Sequence, residues 1–309
     1  AEELTSIAGN LANGAVIDLG EATFATTEFP MDFARKTNLQ EIALPRNIQT
    51  FASEAYSGAF YNCTNLKRVT LPEGLTAIGA NCFRQCSQLE SIELPSSVRT
   101  LDIYAFYGCK LLTSVVIPEG VEAIPRFIFD SCTALTDVTL PNSVTKIGAS
   151  AFNGCSLTTI NFGQGVKTIE NSAFQNCGEL TEIILPDATE TLGQNAFGDC
   201  PKLAKISLGK NMKTLEAYCF VGYSKGCPLL GDIICRATTP PTLKDDYGTG
   251  PFGGGWSPVA GKDVPAENRI IHLPKSADPV GGTGAYADSS WVKLTSSTYG
   301  FAFKYDVEG

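Results

Sequence analysis

Eleven cysteines and a single histidine are the side chains of this 309-residue chain best suited to nucleophilic, redox or metal chemistry. Their spacing argues against all three. Cys63, Cys86, Cys109, Cys132, Cys155, Cys177, Cys200 and Cys227 recur at one position of a repeated unit. Cys82 and Cys219 stand where other copies have Ala59, Ala105, Ala151, Ala173 and Ala196, and Cys235 stands where they have Leu71 and Leu94. Each slot is small or apolar, so the thiols read as buried hydrophobes. Neighbours in such a ladder would lie about 4.8 Å apart with parallel side chains, which is poor disulfide geometry; reduced thiols are expected. The ladder leaves no cysteine and histidine at metal-ligand spacing, so no metal and no cofactor is expected. His272, between Ile271 and Leu273, fits a strand and a structural role. That leaves a Ser-His-Asp or Cys-His site without a base. Gly281-Gly282-Thr283-Gly284 lacks the lysine of a phosphate loop and reads as a turn. Asp245-Asp246 beside Gly248 matches no calcium-loop spacing and reads as a solvated turn.

One carboxylate pair remains. Asp137 and Glu182 share a slot two copies apart, about 10 Å by strand spacing. That is slightly more than the roughly 6.5–9.5 Å of an inverting glycosidase. A polysaccharide lyase or glycosidase on a parallel β-solenoid is therefore the alternative reading. No buried neighbour is evident to raise either pKa, and a non-catalytic chain is expected.

These residues are positioned by a unit of fixed length. Phe60, Phe83, Phe106, Phe129, Phe152, Phe174, Phe197 and Phe220 are spaced by 23 residues, once by 22. A period in this range marks a solenoid. In the copy from Ala59 to Gly79 the apolar positions are Phe60, Cys63, Leu66, Val69, Leu71, Leu75 and Ile78. Leu66 to Leu71 partly alternates, as a strand with one buried face does. Pro72 ends it, since proline has no N–H for a ladder, and a second short extended piece follows around Leu75 to Ile78. Ordering each residue costs about 1–2 kcal/mol of backbone entropy, while burying a large apolar side chain returns roughly 1.5–3 kcal/mol. A lone coil leaves both flat faces wet, so only a stack with caps is stable. The slot of Gly79, Gly148 and Gly193 also holds Pro125, so glycine is expected there as permitted rather than required.

The expectation is a β-rich solenoid of parallel strands with a repeat of about 23 residues and very little helix, over residues 1–309 as one domain: a cap at 1–32, repeats at 33–235, and a C-terminal cap at 236–309 with a long loop at 244–268. Val16 to Gly20 reads as a degenerate strand, and Ile270 to Pro274 as one more strand. Trp291 to Leu294 and Phe301 to Tyr305 read as the closing pieces. Four residues are inserted within Ala52 to Ala59, one is lost between Cys155 and Leu157, and four are gained between Phe220 and Cys227, around Tyr223 and Lys225. All three changes read as turns, where length changes are cheapest.

The net charge of −9 and a pI of about 4.8 argue against nucleic acid or anionic lipid as partner. No apolar run approaches the length of a transmembrane helix. No signal peptide is legible, and the start at Ala1-Glu2-Glu3 fits a mature or trimmed chain.

The unit AF-x-x-C-x-x-L-x-x-I-x-L-P-x-x-V-x-x-I-G resembles the BspA-type leucine-rich repeat family, surface and secreted proteins of anaerobic bacteria and some parasitic protists. Pro240-Pro241, Leu273-Pro274-Lys275, Tyr286 and Trp291 resemble the family's usual ending, so the likeness spans roughly 33–294. The loop at 244–268 departs from it. The resemblance implies a right-handed solenoid, export to the cell surface or medium, and adhesion to a host or extracellular-matrix protein or glycan. A monomer is expected.

The most informative surface is the outward slot of the first strand: Glu41, Arg68, Ser91, Ser114, Asp137, Thr159, Glu182, Lys205 and Asp232, preceded by a slot that includes Glu90. Such ladders line one continuous sheet face, the usual binding surface of horseshoe repeats. It reads either as a binding face or as merely solvated. The candidate ligand-binding residues are Arg68, Glu90, Ser91, Ser114, Asp137, Thr159, Glu182 and Lys205, with Trp256 as either an anchor in the 244–268 loop or a ring packed beneath it.

Overall fold

The structure, a computed structural model, describes residues 2–221, 224, 226–244, 250–253, 260–263, 268–277, 286, 289–295, 299 and 301–308. It divides into two compact units, Ala1–Val144 with Ala151–Ser156, and Thr145–Ser150 with Leu157–Gly309. Each is a parallel β-solenoid built from the same coil.

The coil from Ala59 shows why the sequence folds this way. Ala59, Phe60, Cys63 and Leu66 are fully buried. Strand Arg68–Thr70 buries Val69 between outward Arg68 and Thr70. Leu71 and Leu75 return to the core, and strand Ala77–Ile78 closes the coil with Ile78 inward. Successive phenylalanines then stack face to face. Ring centres lie 5.4 Å apart for Phe60–Phe83, 5.4 Å for Phe83–Phe106 and 5.3 Å for Phe106–Phe129 in the first unit. In the second unit Phe174–Phe197 lie 5.3 Å apart.

The cysteines do more than fill space. All eleven are free and buried. The thiol of Cys86 donates to the carbonyl of Phe60 in the coil before at 3.1 Å, and Cys109, Cys132 and Cys155 repeat the bond to Phe83, Phe106 and Phe129 at 3.2, 3.1 and 3.2 Å. In the second unit Cys200 and Cys227 bond Phe174 and Phe197, each at 3.2 Å. Each thiol of the first unit therefore adds a second, inter-coil bond to a core carbonyl that already accepts a backbone N–H of its own coil, as Phe60 does from Cys63 at 3.1 Å. Burial pushes the thiols of Cys63 and Cys132 up to about 12, so they remain protonated donors.

Left-handed backbone falls in two slots per coil. One holds Asn62, Gln85 and Ser131, and the other Asn81, Tyr104, Phe127, Ser150, Ser172 and Asn195. The slot of Gly79 is not among them, so glycine is not required there by φ. Close approach does require it at Gly193, where a Cβ would come within 2.6 Å of the backbone of Glu170 and Asn171.

The first strands do not form one continuous sheet. Ala15–Asp18, Leu39–Ala43 and Arg68–Thr70 pair in the first unit, and so, separately, do Ser114–Val116 and Asp137–Thr139. In the second unit Glu182–Ile184, Lys205–Leu208, Asp232–Cys235, Ile270–Pro274 and Ala302–Val307 make a five-stranded parallel sheet. Residues 91–93 form no strand, nor do 158–160. The third residue of the strand differs at both breaks but does not decide pairing alone. Thr70, Val116, Thr139 and Ile184 are β-branched there, whereas the broken coils carry Glu93 and Asn161, which strands disfavour; Ala43 and Ser207 pair in the same slot without branching. Asn161 Oδ1 also accepts the Gly163 N–H at 3.1 Å, a local turn that competes with the ladder.

The ends differ from the coil. A helix, Glu2–Gly9, precedes the strand at Ala15–Asp18. The four-residue insertion is an antiparallel hairpin, Ser53–Glu54 with Ser57–Gly58, rather than a plain turn. Ser290–Thr295 is a 3-10 helix. Within it Trp291 is fully buried and its Nε1 donates to the Pro241 carbonyl at 2.8 Å.

Candidate functional site

The outward positions of the five-stranded sheet stand in strict register. Glu182 faces Lys205, Lys205 faces Asp232, and Asp232 faces Ile270; two residues on, Ile184, Ser207, Ile234, His272 and Lys304 follow one another. Parallel pairing repeats each slot at one strand spacing, about 4.8 Å, which brings charges from different coils within reach. Lys205 Nζ lies 3.5 Å from Glu182 and 3.8 Å from Asp232. His272 Nε2 lies 3.4 Å from Asp232, and its Nδ1 lies 2.8 and 3.0 Å from the two Asp306 oxygens. Lys304 reaches Asp306 at 2.9 Å. Slight burial would raise the Asp306 carboxyl, but hydrogen bonds from Lys304 and His272 outweigh it and hold that group below its ordinary range. The result is an alternating line of charges that largely cancel one another, with Ile184 left 59% exposed beside them.

The first unit carries the ladder in pieces. Arg68 is 3.9 Å from Glu41 on the first sheet, and Ser114 faces Asp137 on the second. Ser91 and Thr159 are exposed but belong to the two coils that lack the first strand, so they lie on no sheet. Glu90 is exposed, and its backbone N–H bonds the Lys67 carbonyl at 3.2 Å. Where pairing fails at 91–93 a cleft of about 490 Å³ opens, lined by Arg68, Thr70, Glu73, Ser91, Glu93 and Pro95. A second cleft, of about 380 Å³, lies in the second unit between residues 160–164 and 184–187. Arg236 borders it, standing where other coils have proline, and bonds the Leu185 carbonyl at 2.9 Å and Asp187 at 3.1 Å.

Trp256, Asp245-Asp246, Gly281-Gly282-Thr283-Gly284, Tyr223 and Lys225 lie outside the described residues. Asp137 lies in the first unit and Glu182 in the second. Among the described residues no group of three or more His, Cys, Asp or Glu side chains is placed to hold a metal ion, and no helix is long and apolar enough to cross a membrane. The third outward slot went unread in the sequence because its chemistry is mixed: Thr70, Glu93, Val116, Asn161 and Ile184. Its β-branched members, taken against Glu93 and Asn161, are a partial signal, since Ala43 and Ser207 pair as well.

Stacked parallel coils with a Phe–Cys core and paired outward ladders define a leucine-rich-repeat protein. The family described as BspA type leucine rich repeat region, in 6 copies, matches residues 27–133, 53–178 and 100–226. The chain belongs to this family. Among solved structures it is similar to a leucine-rich repeat protein of Eubacterium ventriosum, with a TM-score of 0.50 and 23% identity over 69% of this chain and 63% of the other. A T. pallidum leucine rich repeat protein gives a TM-score of 0.44 and 25% identity over 62% of this chain and 79% of the other. A leucine rich cell surface protein of Faecalibacterium prausnitzii gives 0.42 and 22%, over 96% and 89%. No curated protein sequence gives a significant match.

Proposed function

We propose that the protein is a non-catalytic, monomeric binding module of the bacterial cell surface or its surroundings, presenting the outward residues of its first strands to a host or matrix protein or glycan. The carrying observation is the fixed register of Glu182 and Lys205 with Asp232 on the five-stranded sheet, while the core slots are filled by Leu, Ile, Val, Phe and Cys. The BspA-type likeness to surface and secreted proteins supports export and adhesion. Arg68, Glu90, Ser91, Ser114, Asp137, Thr159, Glu182 and Lys205 are the contact residues of this reading, with Trp256 as accessory. Immobilised matrix proteins and mucosal glycans, screened by surface plasmon resonance, test it. Asp137→Lys with Glu182→Lys should weaken a bound partner while the melting temperature holds. Unchanged affinity would reject the strand face. Turnover of a glycan panel that is lost in Asp137→Asn and Glu182→Gln would reject the non-catalytic reading.

A further inference from the structure

The turn edge of the first unit carries a second surface, apart from the strand face. Tyr61, Arg84 and Tyr107 occupy one slot on successive coils, and Asn81, Tyr104 and Phe127 occupy the neighbouring one. Arg84 Cζ lies 5.9, 4.9 and 5.2 Å from the ring centres of Tyr61, Tyr104 and Tyr107. Arg35 covers Tyr61 at 5.6 Å. Tyr104 and Phe127 stack at 4.9 Å with planes 3° apart.

Three features set this cluster apart from ordinary packing. Tyr104 and Phe127 hold left-handed backbone, φ 58° and 59°, which bulky side chains rarely adopt; the same slot elsewhere holds Asn81, Ser150, Ser172 and Asn195, and Tyr218 in the second unit. Side chains kept at such positions cluster at ligand sites. Secondly, in a chain of net charge −9, neither Arg84 nor Arg35 has an acidic partner among the described residues. Arg84 bonds only Asn81 Oδ1, at 3.1 Å, and its Nε is buried without an acceptor. Thirdly, the half-buried Tyr61, Tyr104 and Tyr107 have no hydroxyl acceptor among the described residues. The surface offers two guanidinium groups and three tyrosine hydroxyls. The nearest carboxylate in the same slot, Asp130, is engaged by Ser131 and Asn153 at 2.8 and 3.3 Å.

We propose that this edge docks an acidic peptide segment of a partner protein. Arg84 and Arg35 pair with its carboxylates, the tyrosine hydroxyls donate to them, and the ring edges take its apolar side chains. Tyrosine and arginine are the residues in which interface hot spots are enriched. A sugar ring would need an open aromatic face, and Tyr104 is held between Arg84 from the coil before and Phe127 from the coil after. The inserted hairpin extends the surface. Tyr56 at its tip is 83% exposed, and the hairpin carbonyls of Glu54 and Ala55 accept from Asn81 Nδ2 at 3.4 and 3.5 Å, the same residue that holds Arg84.

The test is fluorescence anisotropy of the full chain with a labelled short peptide of alternating Glu and Leu, with polygalacturonate as competitor. The peptide should bind, weaken with salt, and lose about tenfold or more in affinity in Arg84→Gln and in Tyr104→Asn. Arg84→Lys keeps the charge without the planar stacking and should recover part of it. Because asparagine already serves the Tyr104 slot at Asn81 and Asn195, Tyr104→Asn should hold or raise the melting temperature. No binding by the wild type, equal binding by both variants, or displacement by polygalacturonate ahead of unlabelled peptide would overturn the proposal. So would a fall in melting temperature in Tyr104→Asn with the peptide still bound, which would mark a structural clamp only.

Discussion

On the outer strand face of the second unit, cations and acids alternate and cancel; on the turn edge of the first, cations are held by aromatic rings and face no acid among the described residues. Lys205 lies 3.5 and 3.8 Å from two carboxylates, whereas Arg84 lies over three tyrosine rings with its Nε unbonded. Both surfaces rest on the same coil and the same period. A repeat sets where a side chain stands; the residue in the same slot of the next coil sets whether it remains available. Slots that alternate in sign close on themselves, and slots that alternate arginine with tyrosine stay open to a ligand.

The comparison is sharpest if both surfaces stand on equal cores, and that carries the largest expected effect. Phe106→Ala in the first unit and Phe197→Ala in the second should each cost about 3–5 kcal/mol, read by denaturant unfolding. A loss below about 1 kcal/mol in either would show that its unit does not rest on the ring ladder.

The thiols come next. Burial raises Cys63 and Cys132 from the ordinary value of 9.0 to about 12. A folded value above the unfolded one means stability that is complete below about pH 9 and falls as pH rises toward 12, because the unfolded chain releases protons the folded chain keeps. Each such thiol should remove about 1.4 kcal/mol per pH unit in that window. A melting temperature that stays flat from pH 9 to pH 11 would contradict the buried-donor role.

The paired face should then show a smaller, acid-side response. The Asp306 carboxyl is held below its ordinary range, so its contribution is present above about pH 4 and lost as pH falls through the folded value. Asp306→Asn should flatten that acid limb, measured by amide exchange in Ala302–Val307. If the limb is unchanged, the His272–Asp306 contact does not hold the strand.

Smallest is Lys205→Ala, which leaves Glu182 and Asp232, two strands apart, without the cation between them at a partly exposed site. About 0.2–1 kcal/mol is expected, with a larger loss at low salt than at high. An equal loss at both would mean that the lysine contributes packing rather than charge.

Much of this was legible before the structure. The phenylalanine period implied stacked coils, the alternation at Leu66 to Leu71 implied the first strand with Val69 inward, and the shared register of the cysteines implied free buried thiols. The strand at Ile270–Pro274 was also readable, from IIHLP. Other features needed partners that lie about a coil length away, as Tyr104 does from Arg84. Nothing local to Ser91 or Thr159 says that their coils leave the sheet; Glu93 and Asn161, two residues on, are unlike the β-branched residues of several paired strands, but Ala43 and Ser207 pair in that slot. Arg84 reads alone as a surface charge, and only the coils on either side supply its tyrosines.

The sequence by itself determined the coil, its length, its inward side chains and the family, because burial of a repeated apolar pattern has one economical solution, stacking. Tertiary structure alone decided which outward side chains neutralise one another and which do not. That depends on contacts of about 3–6 Å between residues of different coils, a distance that spacing along the chain does not specify. It also decided that the cysteine thiols are hydrogen-bond donors, since the phenylalanine carbonyls they meet come from the coil before.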